Sequence, residues 1–305
     1  MTTPPQSITV EGLTRRFGDL TAVDHVDFTV ERGLMTGFVG GNGAGKTTTM
    51  RMIMGVLSIS EGRVLWGDRP ITTADQRAIG YMPEERGLYP KQRIADQLVY
   101  LGQLKGLSPK AARTSVLELL ERLGLGERTT DTVESLSLGN QQRVQIAAAL
   151  MIEPAALILD EPFSGLDPDA VDAMVDLLRE HTSRGVPVLF SSHQLDLVDR
   201  LCDRLVILAE GRVRATGTPT ELRGGSPVRH RLVAVRDAGW VREVPGVLAV
   251  DVDGPTAVLD LAPGSTTERD RVLTELLAEG LRHGGVRELT PIIPALSEVY
   301  REVTA

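Results

Sequence analysis

Cysteine is almost missing from this chain. Cys202 is the only one in 305 residues, so no internal disulfide can form and a reducing compartment fits. Cys202 itself reads as a small buried hydrophobe on a helix. An excess of basic charge is also missing. The net charge of −8 argues against a chain whose main task is to hold nucleic acid. Long apolar runs are missing as well. The longest, Ile146–Ile152 and Ala155–Leu159, fall far short of the ~20 residues that span a bilayer. The opening MTTPPQSITV has neither the basic nor the apolar region of a signal peptide. The expectation is a soluble chain, and any membrane crossing would belong to another polypeptide. With 42% hydrophobic residues the chain can bury real cores, and its length suggests two domains.

What is present centres on residues 40–48, GGNGAGKTT. Gly40, Gly45, Lys46 and Thr47 satisfy G-x-x-x-x-G-K-[ST], with an apolar strand at Met35–Val39 before it and a helix from Thr48 to Leu57 after it. That context predicts a phosphate site. Glycines 40, 41, 43 and 45 are expected to let the backbone turn through positive φ and present N–H groups to phosphate oxygens. The helix adds the positive end of its dipole. Lys46 is placed to reach the β- and γ-phosphates, and the Thr47 hydroxyl suits Mg²⁺, a hard cation that prefers oxygen.

The rest of the chain fits an α/β sheet. Alternation over residues 7–34 predicts strands, with turns at Gly18-Asp19 and Arg32-Gly33. Within it, Phe17 could stack on an adenine face or fill a strand edge of the core. A turn at Glu61-Gly62 leads to a strand at Arg63–Trp66, and residues 79–90 form a strand that ends at Met82-Pro83 before Glu84 and Glu85. Residues 91–124 read as helical, with Ile94, Leu98, Leu101 and Leu104 in one row. A second helix is capped by Ser108 with Pro109 at its first position, carries Val116, Leu119, Leu120 and Leu123 inward, and stops near Gly124.

After SLSLGNQQ (135–142) an apolar helix is expected over Val144–Ile152. The strand Ala155–Leu159 ends in Asp160-Glu161. A helix runs from Pro168 to His181, a strand from Val186 to Phe190 ends in Ser191-Ser192-His193, and a helix covers Leu195–Leu201. A hairpin turns at Glu210-Gly211. Strands alternating with helices predict a largely parallel sheet, whose carboxyl ends are where ligands sit. Asp160 is placed to hold the waters of Mg²⁺. Glu161, one residue on, points elsewhere and is the candidate base for an attacking water.

Residues 223–227 read as a linker. Beyond them, strands near 231–235, 247–252, 256–261 and 286–289 with helices at 267–279 and 295–303 predict a small α+β domain, with a ferredoxin-like arrangement as one candidate. It holds no phosphate loop, metal-ligand spacing or nucleophile triad. His230 and His283 stand alone and read as surface or structural.

Taken in order, residues 7–222 resemble the nucleotide-binding subunit of an ATP-binding cassette (ABC) transporter. Gly40–Thr48, that is Gly40, Gly41, Asn42, Gly43, Ala44, Gly45, Lys46, Thr47 and Thr48, is similar to the Walker A loop. Ala156–Glu161 resembles Walker B with its catalytic glutamate. Ser137, Leu138, Gly139, Asn140 and Gln141 sit where the family has LSGGQ. Ser164-Gly165-Leu166-Asp167 resembles the D-loop and His193 the switch histidine. The resemblance puts Phe17 at the adenine-stacking position. Three departures stand out. Gly41 replaces a usual proline, Leu138 and Asn140 replace the signature's Gly and Gln, and Glu84 replaces a usual Gln that senses Mg²⁺.

The resemblance implies a P-loop NTPase core of the ABC type over 1–222, with antiparallel β and helical subdomains (the latter about 87–150), and a small α+β accessory domain over 223–305. It implies ATP and Mg²⁺ as ligands, with Thr47, Asp160 and Glu84 on the metal and Glu161 and His193 in catalysis. Two copies would close head to tail, Ser137–Gln141 and Asp167 of one serving the ATP of the other. Closure would drive a separate membrane permease, received near Glu84–Tyr89 and segment 91–140, so the chain would sit on the inner face of the cell membrane. PEERGLYP, LSLGNQQ and DEPFSGLDP with an added C-terminal domain resemble bacterial subunits of ABC-2-type exporters. The competing expectation is a non-transport ABC ATPase acting on a ribosome or DNA; one cassette and no sustained heptads speak against it.

Overall fold

A computed structural model describes residues 4–85, 87–223, 229–262, 265–292 and 294–304. The chain divides into two compact units, a larger one that runs to Pro219 and includes the residues from Glu302 onward, and a smaller one over Thr220–Arg301. The linker expected at 223–227 lies, Arg223 aside, outside the described residues.

The larger unit opens with β1 (Ile8–Phe17) and β2 (Leu20–Val30), a long antiparallel pair. β3 (Met35–Val39) then runs straight into the glycine loop and α1 (Lys46–Ile53). β4 (Glu61–Trp66) returns to pair with β1, followed by β5 (Arg69–Pro70), α2 (Thr73–Arg77) and β6 (Ile79–Met82). The turn expected at Glu61-Gly62 is instead the start of β4. Gly62 has φ +87° and a Cβ there would lie 2.3 Å from the Gly12 carbonyl oxygen. The β1–β4 register slips between Glu11 and Thr14, so Gly62 marks a bulge inside the pair.

Two helices follow, α3 (Ile94–Leu104) and α4 (Pro109–Arg122), the second capped by the Ser108 hydroxyl. Val116, Leu119, Leu120 and Leu123 are buried as expected, whereas Leu104 is exposed. α5 spans Leu138–Leu150. It starts six residues before the expected Val144, because Ser137 accepts a hydrogen bond from the Asn140 N–H and so turns the glycine-bearing stretch into its first turn. β7 (Ala156–Leu159), α6 (Pro168–Ser183), β8 (Val188–Ser192), α7 (Leu195–Leu201), β9 (Arg204–Ala209) and β10 (Arg212–Gly217) complete this unit, and α8 (Pro219–Arg223) follows. β8 lies two residues later than expected, which brings Ser191 and Ser192 into the strand.

β1, β2, β4 and β5 form one antiparallel sheet. The other runs β10-β9-β3-β8-β7-β6 and is parallel from β9 to β6, with β10 as an antiparallel edge. β3, β7 and β8 are buried at every position, as strands covered on both faces must be. The two sheets share one core, marked by Phe28 against Phe38 at 5.1 Å between ring centroids. Cys202 ends α7, buried, and burial pushes its thiol pKa up, so it packs as a hydrophobe.

The smaller unit has β11 (Arg229–Ala234), β12 (Val247–Asp253), β13 (Thr256–Leu261), α9 (Thr266–Arg282), β14 (Val286–Ile292) and α10 (Leu296–Thr304). Its sheet runs β12-β13-β11-β14 with every pair antiparallel. That is the strand order of a ferredoxin-like sheet, with a short 3-10 turn at Gly239–Glu243 in place of the first helix. Leu232, Trp240, Leu259 and Leu276 fill its core.

One buried carboxylate ties α2 to β5. Asp75 accepts from both terminal nitrogens of Arg69, at 2.7 and 2.8 Å, and from the N–H and hydroxyl of Thr72. The Arg69 bonds hold its carboxyl well below the usual range. A depressed folded pKa stabilises above the unfolded value of about 4, and the gain is lost as pH falls through the folded value. Asp75→Asn is expected to cost on the order of 1–3 kcal/mol at neutral pH. The gap to the wild type should narrow on acidification below about pH 4. Urea unfolding from pH 7 down to pH 3 checks both.

Candidate active site

The carboxyl ends of β3, β8, β7 and β6 lie side by side because these strands are parallel and adjacent. Val39 pairs with Ser192, Leu159 with Phe190, and Met82 with Leu159. Whatever follows each strand therefore gathers at one edge: the glycine loop, Asp160-Glu161, His193 and Glu84. A cavity of about 670 Å³ opens there. Asn42 to Thr48 form one wall, Glu84, Asp160 and Glu161 another, and Leu20–Ala22 with the Glu210-Gly211 turn a third.

Three of the four loop glycines meet two different needs. Gly43 and Gly45 have φ of +76° and +102°, which only glycine adopts at little cost. Gly40 and Gly41 are not among the positive-φ residues. A Cβ on Gly40 would lie 2.7 Å from the Leu208 carbonyl oxygen and 2.9 Å from Ala44 Cβ, so close packing demands glycine there. The Lys46 ammonium donates to the Gly40 and Gly41 carbonyls at 2.7 and 3.2 Å, which folds its charge back over the loop. The β9–β10 turn buttresses the loop, the Gly211 N–H donating to the Ala44 carbonyl at 3.2 Å.

Oxygen donors meet from both sides of the cavity. The Thr47 hydroxyl donates to Glu84 Oε2 at 3.3 Å. Asp160 is buried, and its Oδ1 accepts from the Ser191 hydroxyl at 2.6 Å. Its Oδ2 is buried with no hydrogen-bond partner, a costly arrangement unless something positive completes it. A hydroxyl, an exposed carboxylate and an orphaned carboxylate oxygen in one cavity are a donor set that fits Mg²⁺. Among the described residues no three His, Cys, Asp or Glu side chains form a ready metal cluster.

Glu161 has φ +50°, the left-handed region that a non-glycine residue enters at a cost of about 1–3 kcal/mol. Neighbours hold it there. Its N–H donates to Ser191 Oγ at 2.7 Å, and its carbonyl and that of Pro162 accept from Gln142 Nε2 at 2.8 and 3.1 Å. Its side chain is close to His193, with 2.9 Å between Oε2 and Nδ1.

Other expected site residues lie elsewhere. Phe17 is 47% exposed, so it does not fill the core. It is not in the cavity wall, although its hairpin partner Leu20 is, and the Arg15 guanidinium covers one ring face at 4.5 Å. Ser137, Leu138, Gly139, Asn140 and Gln141 begin α5 and line none of this cavity. Asp167 caps α6 through Ala170 N–H and pairs with Arg143 at 2.8 Å. A Cβ on Gly139 would sit 2.8 Å from the Gly165 carbonyl oxygen, so the signature turn and the 164–167 loop touch. Sequence reasoning missed Ser191, Gln142 and Arg143. Each flanks a motif by one or two residues, and that adjacency was the available signal.

A model of the ABC transporter family matches residues 23–164. The chain is similar to the uncharacterized ABC transporter ATP-binding protein YhaQ of Bacillus subtilis, 45% identical over 71% of this chain and 72% of that protein. It is also similar to the linearmycin resistance ATP-binding protein LnrL of the same organism, 33% identical over 90% of each. A solved ATP-binding subunit of an ABC transporter superposes with a TM-score of 0.65 at 34% identity, over 71% of this chain and 92% of that one.

Lys46 supplies the loop's one side-chain cation. Lys46→Ala is expected to weaken MgATP binding by about tenfold or more while leaving the thermal unfolding curve in place. Titration calorimetry reads the affinity directly, and unchanged affinity would sink this assignment.

Proposed function

For a chain that belongs to the ATP-binding proteins of ABC transporters, we propose the role of motor subunit of an exporter, acting as a head-to-tail pair of ATPases on a separate permease. The chain is an ATPase of this family. The observation that carries the dimer is the division of its motifs. Lys46, Thr47, Asp160 and Glu161 line one cavity, whereas Ser137 and Gly139 lie outside it at the start of α5. At a helix N-terminus, with Ser137 exposed and Gly139 half-buried, they are usable by a nucleotide held in a second copy, where backbone N–H groups meet γ-phosphate oxygens.

The work of each residue follows from its place. Gly43, Gly45 and the N-terminus of α1 cradle the phosphates, and Lys46 exchanges its two carbonyl contacts for phosphate oxygens. Mg²⁺ would be held by Thr47, with Asp160 and Glu84 reached through its waters, and would neutralise phosphate charge. Glu161 orients and deprotonates the attacking water. His193, within hydrogen-bond distance of the Glu161 carboxylate, holds that carboxylate in place. Phe17 offers its uncovered face to the base. Glu84 places a carboxylate where a neutral amide is usual in the family, so this cavity is more acidic and depends more strongly on the divalent cation.

Among the described residues no helix is long and apolar enough to cross a membrane, which fits a peripheral subunit carried by its permease. The side chains of Tyr89, Tyr100 and Leu104 are exposed around α3, and Gln97 pins Tyr89 by two backbone bonds of 2.8 and 3.2 Å. A fixed apolar surface of this kind is what a permease loop would grip. Export rests on the likeness to a resistance protein over nearly the whole chain.

Glu161→Gln is expected to cut turnover by ~10²–10⁴-fold and leave ATP binding intact, so that MgATP traps a dimer visible by light scattering. A monomer at saturating MgATP would count against the paired mechanism. Tagged in its native cell and extracted gently with the membranes, the chain is expected to bring down a polytopic hydrophobic protein. Recovery of ribosomal or DNA-bound material alone would overturn the transport role and leave the ATPase site standing.

A further inference from the structure

The backbone at Glu161 and the carboxylate of Asp160 meet on a single hydroxyl, that of Ser191. Ser191 Oγ carries one proton. Asp160 Oδ1, at 2.6 Å, can only accept it. The lone pairs of Oγ are then left for the Glu161 N–H, at 2.7 Å. Ser191 is fully buried, so no water competes for either bond. One consequence concerns the metal side. With Oδ1 engaged, the buried and unpartnered Oδ2 is the carboxylate oxygen left free on this cavity-lining residue. The other concerns the water side. Glu161 sits at φ +50°, a conformation that its own backbone does not favour, and the Ser191 bond fixes its N–H while Gln142 fixes its carbonyl. Two residues further along the chain, His193 approaches the same glutamate's carboxylate. The end of β8 thus controls both the backbone and the side chain of Glu161.

We propose that Ser191 is a positioning residue for ATP hydrolysis, setting Asp160 for the metal and Glu161 for the attacking water through one hydroxyl. The proposal rests on the assignment of Asp160 and Glu161 made above. It predicts that the hydroxyl matters for turnover and little for nucleotide capture, since its hydrogen bonds run to Asp160 and Glu161 and not to the glycine loop or Lys46. It also predicts that the segment around Glu161 loosens when the hydroxyl is lost.

The test compares full-length wild type, Ser191→Ala, Ser191→Thr and Glu161→Gln. In Ser191→Ala, kcat for MgATP is expected to fall about tenfold or more with KM changed less than about threefold, the split that marks loss of an interaction needed for the chemical step. Hydrogen exchange, read without nucleotide, should show faster deuteration of the peptide that contains Glu161 and unchanged protection of the peptide that contains α1. Ser191→Thr keeps a hydroxyl on the same carbon and should recover both readouts, at least in part. Wild-type kcat and exchange in Ser191→Ala would overturn the proposal, as would a fall in kcat matched by loss of ATP affinity, which marks general damage. If turnover survives Glu161→Gln in the same assay, the assignment beneath the proposal fails and takes the proposal with it. Loss in Glu161→Gln with normal Ser191→Ala removes the proposal alone.

Discussion

The register of four parallel strands is the constraint on which this site depends. None of β3, β8, β7 and β6 lines the cavity; apart from Ser191 at the end of β8, they act as a mostly apolar, almost wholly buried frame. Their pairing decides which residues emerge together. Side chains alternate across a strand, so a slip of one residue in β7 against β8 would exchange the places of Asp160 and Glu161. The hydroxyl of Ser191 would then meet the wrong carboxylate. With both faces buried, polarity alone does not forbid that slip; the close packing of the buried β7 and β8 side chains, which a shift of one residue would undo, holds the register. The core therefore acts on the chemistry through register more than through stability.

The same site mixes signs of charge in an instructive way. Lys46 faces Glu84, Asp160, Glu161 and Glu210 around one cavity. An anionic ligand would be repelled by such a surface if it came alone. A ligand carrying a divalent cation would find oxygen donors on one wall and N–H groups and an ammonium on the other. In the proposed role, selectivity for a metal–phosphate pair would come from the geometry of the walls, with the two charge types segregated.

α5 links regions that the chain separates. Its first turn carries Ser137 and Gly139. One turn on, Gln142 grips the carbonyls of Glu161 and Pro162, and Arg143 pairs with Asp167. Gly139 also lies against the Gly165 carbonyl. In the proposed dimer these contacts put the surface offered to the second nucleotide on the same rigid helix that holds the catalytic glutamate. The smaller unit stands as a separate compact body. It has its own antiparallel sheet and its own core; of its two histidines, His230 is buried and His283 stacks flat on Trp240 at 5.4 Å.

Much was legible from the residues alone. The glycine loop between an apolar strand and a helix, the apolar strand ending in Asp160-Glu161, the caps at Ser108 and the α+β character of the last third are all written locally, in spacing and in turn chemistry. Such signals survive because backbone sterics and short-range hydrogen bonds act over a few residues. Other features depended on partners distant in the chain. Gly40 is needed because the Leu208 carbonyl approaches it, and Gly62 because β1 bulges beside it. α5 begins at Leu138 through a cap that looks like loop sequence. Ser191 gained its place only when β8 was laid beside β7, since a serine at a strand end carries no mark of which carboxylate it will meet. What the sequence by itself determined was the kind of chemistry, through motifs that present their own backbone. What only the tertiary structure decided was how Asp160 and Glu161 are held, because that depends on contacts between strands about thirty residues apart, which sheet register sets and local sequence does not.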